Sequence, residues 1–432
     1  MRQLNLDHVR SQFPALTRTV HGNTAAYFDG PAGSQVPQSV IDAVADYLAS
    51  SNANRGGPFV TSVQSDATLD AAHHIVADFL GAQNADEVIF GANMTTLTLS
   101  LSRALSRTWS PGDEVLVTQL DHDANVTPWV LAARDAGATI RHVNIQPDDC
   151  TLDIDDFTNK LSQRTKLVAI GYASNAVGTI NPIREITRAA HDVGATVFVD
   201  AVHFAPHGLI DVEGLDCDFL VCSAYKFFGP HVGILWGRQS LLETVSAYKV
   251  RPAARRPPGK WMTGTQNHEG IAGVAAAINY LAGLGRIDQT ESLSRRDSLV
   301  RAFNAIGEQE RQRAGELLSG LSKHPRIRVY GITDPKMYDR RVPTVSFTHA
   351  DYRPSEIAGF LADRGIFVWT GNHYSLPLTE ALGLEPDGTI RIGLLHYNSP
   401  EEIERLLAAL GELSRSLFPS TSAHPKGLDF AR

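Results

Sequence analysis

The sequence predicts an α/β protein: a large domain on a mostly parallel sheet, followed by a smaller α+β domain at the carboxyl end. Three observations carry this. Short apolar runs alternate with longer helical patterns through the first two thirds of the chain. The pattern changes near residue 290, where a long charged helical stretch begins. Two of the apolar runs end in residues suited to chemistry rather than packing, Asp200 and Lys226.

The runs appear in order as EVIFG at 87–91, DEVLVT at 113–118, ATIRHV at 138–143, KLVAIGYA at 166–173 and ATVFVD at 195–200, followed by 219–222 and 232–236. Each has the length of a buried strand, and helix candidates at 95–107, 126–136 and 184–193 lie between them. Sheets of this kind bind ligands beyond the carboxyl ends of their strands. After residue 290 come the charged helical stretch, then RIRVYG, VPTVSFTH, a helix at 354–364 and TIRIGLL. A last helix begins at Ser399, where SPEE supplies an N-cap, a first-turn proline and early acids. The expected organisation is a segment 1–20 packing with the small domain, a large domain 21–290, a small domain 291–418 and a mobile tail 419–432.

With 432 residues, 43% of them hydrophobic, the chain can bury a large core. A net charge of −8 without long basic runs argues against nucleic acid or an acidic membrane surface as partner and favours a small molecule. The three cysteines, Cys150, Cys217 and Cys222, form no CxxC pair, which fits a reducing compartment. No apolar stretch reaches membrane-spanning length, so a cytoplasmic location is expected.

Lys226 lies in SAYKFFGPH, where one apolar run ends and a turn begins. A lysine there is placed to attack a carbonyl, and Asp200 closes a neighbouring run in the same way. Pyridoxal phosphate needs such a pair: an amine to hold it as a Schiff base and an anion to keep its pyridine nitrogen protonated. Taken singly, Lys226 also reads as a turn lysine and Asp200 as a helix cap. Asp200, His203 and His207 have a spacing open to metal, but no second ligand cluster accompanies them, and no metal is expected. The GxG at 283–285 lacks the third glycine of a nicotinamide loop.

Five strings carry a resemblance: SAYKFFGPHVGILWGR, VDAVHFAPH, SNAVGTINPI, LDHDANVTPW and GIFVWTGNHYSLPL. Over about 27–410, with the matches in the family's own order along the chain, the chain resembles fold type I pyridoxal phosphate enzymes of the class V aminotransferase group, especially the cysteine desulfurase and selenocysteine lyase branch. The resemblance implies that Lys226 holds the cofactor, Asp200 pairs with its ring nitrogen, and His203 and Asn175 lie beside the ring hydroxyl. It implies a phosphate site from Thr95 and Thr96 at a helix amino terminus, with Ser223 and Tyr225 on the Lys226 turn. Thr265 would reach the phosphate of a second subunit, making the protein a homodimer with shared sites. Arg391 would receive the substrate α-carboxylate, so the substrate is an α-amino acid.

Three departures from the family stand out. Tyr374 occupies the position of the persulfide-forming cysteine, Asp123 that of a ring-stacking histidine, and Trp369 that of an arginine. A phenol cannot accept sulfur as a thiolate does. Asp123 is left to orient substrate or exchange a proton, and Tyr374, Trp369 and Asn175 to line the substrate side. The expected activity is β-elimination of the C–S lyase type on a cysteine-like amino acid; transamination, epimerisation and a silent cofactor-binding role are the alternatives.

Overall fold

The computed structural model describes residues 4–286 and 292–413. A helix α1 (Leu6–Ser11) precedes strand β1 (Ala26–Tyr27) and helices α2 (Gln38–Ser50) and α3 (Val60–Leu80). The large sheet uses β2 (Val88–Gly91), β3 (Glu114–Thr118), β4 (Thr139–Val143), β5 (Thr165–Gly171), β6 (Thr196–Asp200), β7 (Phe219–Ser223) and β8 (Gly233–Gly237). Its order is β2-β8-β7-β6-β5-β3-β4. Only β8 runs against the rest, pairing antiparallel with β7 and β2.

The central strands read as apolar runs because both faces are covered, whereas the edge strand β4 leaves Thr139 and His142 exposed. In β6, Val197 and Val199 enter one core and Phe198 the opposite one. Helices α4 (Met94–Leu105) and α5 (Thr127–Ala136) cover the Phe198 side, while α3, α6 (Ile183–Asp192) and α7 (His268–Leu284) cover the other. The pair α2 and α3 went unread in the sequence, whereas α7 is the helical pattern that precedes the glycines at 283 and 285. The glycines at 283 and 285 fall at the carboxyl end of α7 and not after a strand.

The long helix α8 (Arg295–Leu321) leads into the small sheet of β9 (Ile327–Tyr330), β10 (Thr344–His349), β12 (Trp369–Gly371) and β13 (Thr389–Gly393), ordered β9-β10-β13-β12. Between β10 and β12 lie α9 (Pro354–Ala362) and strand β11 (Ile366–Phe367). Parity in β13 decides which residue meets the site. Ile390 and Ile392 join Val345 and Phe347 in a core closed by Leu317 of α8 and Leu406 of α10 (Pro400–Leu413). Arg391 therefore points the other way, across from Ser346 and Trp369 on the adjoining strands.

The first residues join both units. Arg10 bonds the carbonyl of Tyr397 at 2.7 Å and pairs with Glu402 at 2.9 Å, while Val9, Phe13 and Leu16 enter the core of the large sheet. β1, within the stretch expected to be large-domain, pairs in parallel with β11 of the small one. The tail at 419–432 lies outside the described residues. Among the described residues no helix is long and apolar enough to cross a membrane.

Phe13 is 1% exposed and its ring contacts Phe228, Tyr280 and Tyr397 at centroid distances of 5.9, 5.4 and 5.0 Å. Phe13→Ala is expected to cost about 3–5 kcal/mol, read as a lowered thermal denaturation midpoint. An unchanged midpoint would remove the amino-terminal segment from the structural core.

Candidate active site

A cavity of about 560 Å³ opens at the carboxyl ends of β3, β5, β6 and β7 and is closed on its other side by the polar face of the small sheet. Lys226 follows β7 in a short turn, Ala224–Lys226. The turn is tied by bonds from Ala224 N–H to Val232 and from Gly229 N–H to Ala224, both 2.9 Å. Gly229 is required there, since a Cβ would lie 2.9 Å from the Ala224 side chain. The Lys226 amine donates to the Pro31 carbonyl and stands 4.7 Å from the centre of the Tyr225 ring. Burial, and then the Arg391 charge, bring its pKa down to about 7, against the opposing pull of Asp200 and Asp29.

Asp200 ends β6, and one carboxylate oxygen accepts the Val202 N–H at 2.9 Å. Burial raises its pKa to about 6, with Val202 and Lys226 acting to lower it. Arg391 is 5% exposed; one Nη donates to the Asn175 carbonyl at 3.0 Å and its Nε has no partner among the described residues. A buried guanidinium with spare donors suits a carboxylate arriving from solution. Ser223 accepts the Met94 N–H at 3.0 Å, Asn93 accepts the Thr96 N–H, and Thr95 lines the cavity at the start of α4. That leaves the Thr95 amide as the first-turn donor without a protein acceptor among the described residues.

Several expected residues thus share one cavity: Thr95, Asn175, Asp200, His203, Ser223, Tyr225, Lys226, Trp369, Tyr374 and Arg391 all line it. Others do not. Thr96 is outside the lining because its amide and hydroxyl both bond Asn93 at 2.9 Å, as part of the helix cap. Asp123 is also outside; its carboxylate accepts from the Thr127 hydroxyl at 2.9 Å. The residue that faces the cavity is His122, one position earlier in the turn. Thr265 is exposed and outside this chain's own cavity.

His122 was missed because DHDAN offers two polar residues to one turn, and which of them faces inward is decided by the backbone. Its Nδ1 accepts the Ala124 N–H at 3.0 Å, which puts the proton on Nε2. Burial holds the ring neutral, with a pKa of about 4. Tyr374 stacks on it, centroids 5.3 Å apart and planes inclined by 17°. Asn175 lines the cavity and also holds its rim: its side chain accepts from Ser375 and donates to the His373 carbonyl, both at 2.8 Å, and so ties down the loop that carries Tyr374. His203 bonds the Thr344 hydroxyl at 2.9 Å, and His207 bonds Glu310 at 2.8 Å. Asp121, whose pKa burial raises to about 7, also lines the cavity.

The amine of Lys226, the carboxylate of Asp200, the open amide of Thr95 and the spare donors of Arg391 fit pyridoxal phosphate with an amino acid beside it. All three cysteines are buried and outside the lining.

Two outcomes follow. A neutral amine is the nucleophile, so the rate at which cofactor-free protein captures pyridoxal phosphate should rise with pH through about 7 and level off above it. Stopped-flow absorbance checks this, and a midpoint near the ordinary lysine value would contradict it. His122→Ala should weaken cofactor binding by about 0.5–1.5 kcal/mol, the worth of a ring stack. Asp123→Ala should change it by less than about 0.5 kcal/mol. Equal losses in equilibrium dialysis would return Asp123 to the site.

The class-V aminotransferase family profile matches residues 26–406. A cysteine desulfurase of Serratia proteamaculans is 31% identical over 427 residues, covering 95% of this chain and 99% of that protein. A probable cysteine desulfurase of Vibrio cholerae is 33% identical over 422 residues, covering 94% and 98%. The apo structure of a cysteine desulfurase from Thermococcus onnurineus superposes with a TM-score of 0.83 at 28% identity, covering 96% of this chain and all of that one. A lysine and an aspartate at the ends of adjacent strands, in a chain matched along nearly its whole length, have one explanation: the protein belongs to the class-V aminotransferase family of pyridoxal phosphate-dependent enzymes.

Proposed function

We propose that the protein catalyses β-elimination on a cysteine-like α-amino acid. A substrate R–S–CH2–CH(NH3+)–COO− and one water become the thiol R–SH, pyruvate and ammonium. The observation that carries this reading is a lysine amine held near neutrality on the same cavity as a buried guanidinium with spare donors, in a chain similar to cysteine desulfurases.

Pyridoxal phosphate supplies an electron sink that acidifies Cα and lets a group on Cβ depart. Arg391 binds the α-carboxylate and orients the amino acid. Lys226, unprotonated above about pH 7, takes the Cα proton. Asp200 keeps a negative charge against the ring nitrogen. The Thr95 amide and the Ser223 and Tyr225 hydroxyls would hold the phosphate, His203 and Asn175 would lie on the ring-hydroxyl side, and His122 would offer a flat neutral face, all of them lining the one cavity. Because Cys150, Cys217 and Cys222 are buried outside the cavity, the sulfur leaves with its substituent instead of passing to a protein thiol.

The reading includes a homodimer, in which exposed Thr265 completes the partner's phosphate site, and a cytoplasmic location. Ile41, Leu48, Phe59, Val60 and Val63, exposed on and beside α2 and α3, offer apolar surface for the pairing.

The test is to incubate the holoenzyme with cysteine, cystine and S-substituted cysteines, following the cofactor spectrum and identifying products by mass spectrometry. Equal amounts of pyruvate and ammonia with the starting spectrum restored are expected. A sulfur-bearing 2-oxo acid with pyridoxamine phosphate left behind would make the enzyme an aminotransferase. A spectrum unmoved by every amino acid would make it a silent binder.

A further inference from the structure

We propose that Trp369 and Tyr374 form an aromatic wall that selects amino acids whose side chain ends in a neutral, apolar and preferably planar group, and that rejects those ending in an anion. The inference deepens the function proposed above and rests on it only for the type of reaction.

Strand register is the first support. Trp369 pairs directly with Arg391 across β12 and β13, so the indole and the guanidinium project from the same face of the small sheet. Directly opposed residues of an antiparallel pair have Cβ atoms about 4.5–5.5 Å apart, so a substrate whose carboxylate lies on Arg391 extends alongside the indole. Arg391 and Lys226 are the only lysine or arginine side chains among the lining residues. The first is used by the α-carboxylate and the second by the cofactor. An anionic substrate side chain would find no cation left to pair with among the lining residues and would meet the aromatic rings instead.

Exposure is the second. Trp369 is 54% and Tyr374 72% exposed, although both line the cavity. Large rings left open to water at the mouth of a site gain most by being covered, and an apolar substituent on the substrate is what reaches them.

Rigidity is the third. His373 and Tyr374 both have positive φ, 57° and 58°, a conformation uncommon for such side chains. The loop is held in it: the Asp123 N–H donates to the Tyr374 carbonyl at 2.7 Å, the Tyr374 N–H to the Asn372 side chain at 3.1 Å, and the Tyr374 ring lies on His122. The wall is preformed, so little ordering is needed when a substrate docks.

The test measures dissociation constants of S-benzyl-, S-methyl- and S-carboxymethylcysteine for the holoenzyme by cofactor absorbance and by calorimetry, with products identified in parallel. Wild-type protein should bind the benzyl compound tightest and the carboxymethyl compound weakest. Trp369→Ala should weaken benzyl binding about tenfold, the measure of one lost aromatic contact, and change methyl binding less than about twofold. Trp369→Arg should reverse the order of benzyl and carboxymethyl. Carboxymethyl binding as tight as benzyl in wild type would overturn the proposal, as would Trp369→Ala and Tyr374→Ala changing only the oligomeric state. Sulfur-bearing 2-oxo acids with the preference intact would remove β-elimination and keep the wall; pyruvate from all three without preference would do the reverse.

Discussion

A buried guanidinium without a bonded carboxylate sets the terms for the rest of this site. Arg391 donates to a backbone carbonyl, and no salt bridge to it forms among the described residues. Burial lowers its own pKa to about 9, against the opposing pull of Asp29. An uncompensated buried charge costs several kcal/mol, and on the wall of a cavity an incoming carboxylate can offset that cost. Its field reaches the groups around it, helping to hold Lys226 near neutrality and His122 and His373 uncharged. Asp29, half-buried with one oxygen unpartnered among the described residues, is pushed up to about 6 by desolvation and restrained by a backbone bond and then by the Arg391 and Lys226 charges.

That arrangement depends on two sheets meeting at right places along the chain. The large sheet delivers its residues from strand ends, where parallel strands converge on one edge. The small sheet delivers Arg391 from the middle of β13 and Trp369 from the start of β12, by turning one face away from its own core. His203 bonding Thr344 and Asn175 bonding Ser375 then cross from one unit to the other, so the cavity wall is shared.

The large-sheet strands and the ends bearing Asp200 and Lys226 were legible because their apolar runs are continuous and short. Arg391 was legible by resemblance, and its orientation follows from the alternation of isoleucines around it. His122 and Asp123 show where reading stops. Both are polar, adjacent and in a turn, and turns have no period; only the bond from Ala124 to the imidazole and the one from Thr127 to the carboxylate decide which faces inward. Thr95 and Thr96 differ for the same reason, since Asn93 as helix cap claims the second and leaves the first. The pairing of β1 with β11 was beyond reach because two-residue strands far apart in sequence carry no signature of their own.

Tyr374 is an exposed residue in the left-handed region whose backbone is fastened on both sides, so those bonds would still hold the loop without the ring. Codons for tyrosine and cysteine differ by a single base. A point mutation would therefore exchange the ring on His122 for a thiol at the same mouth without rebuilding the loop.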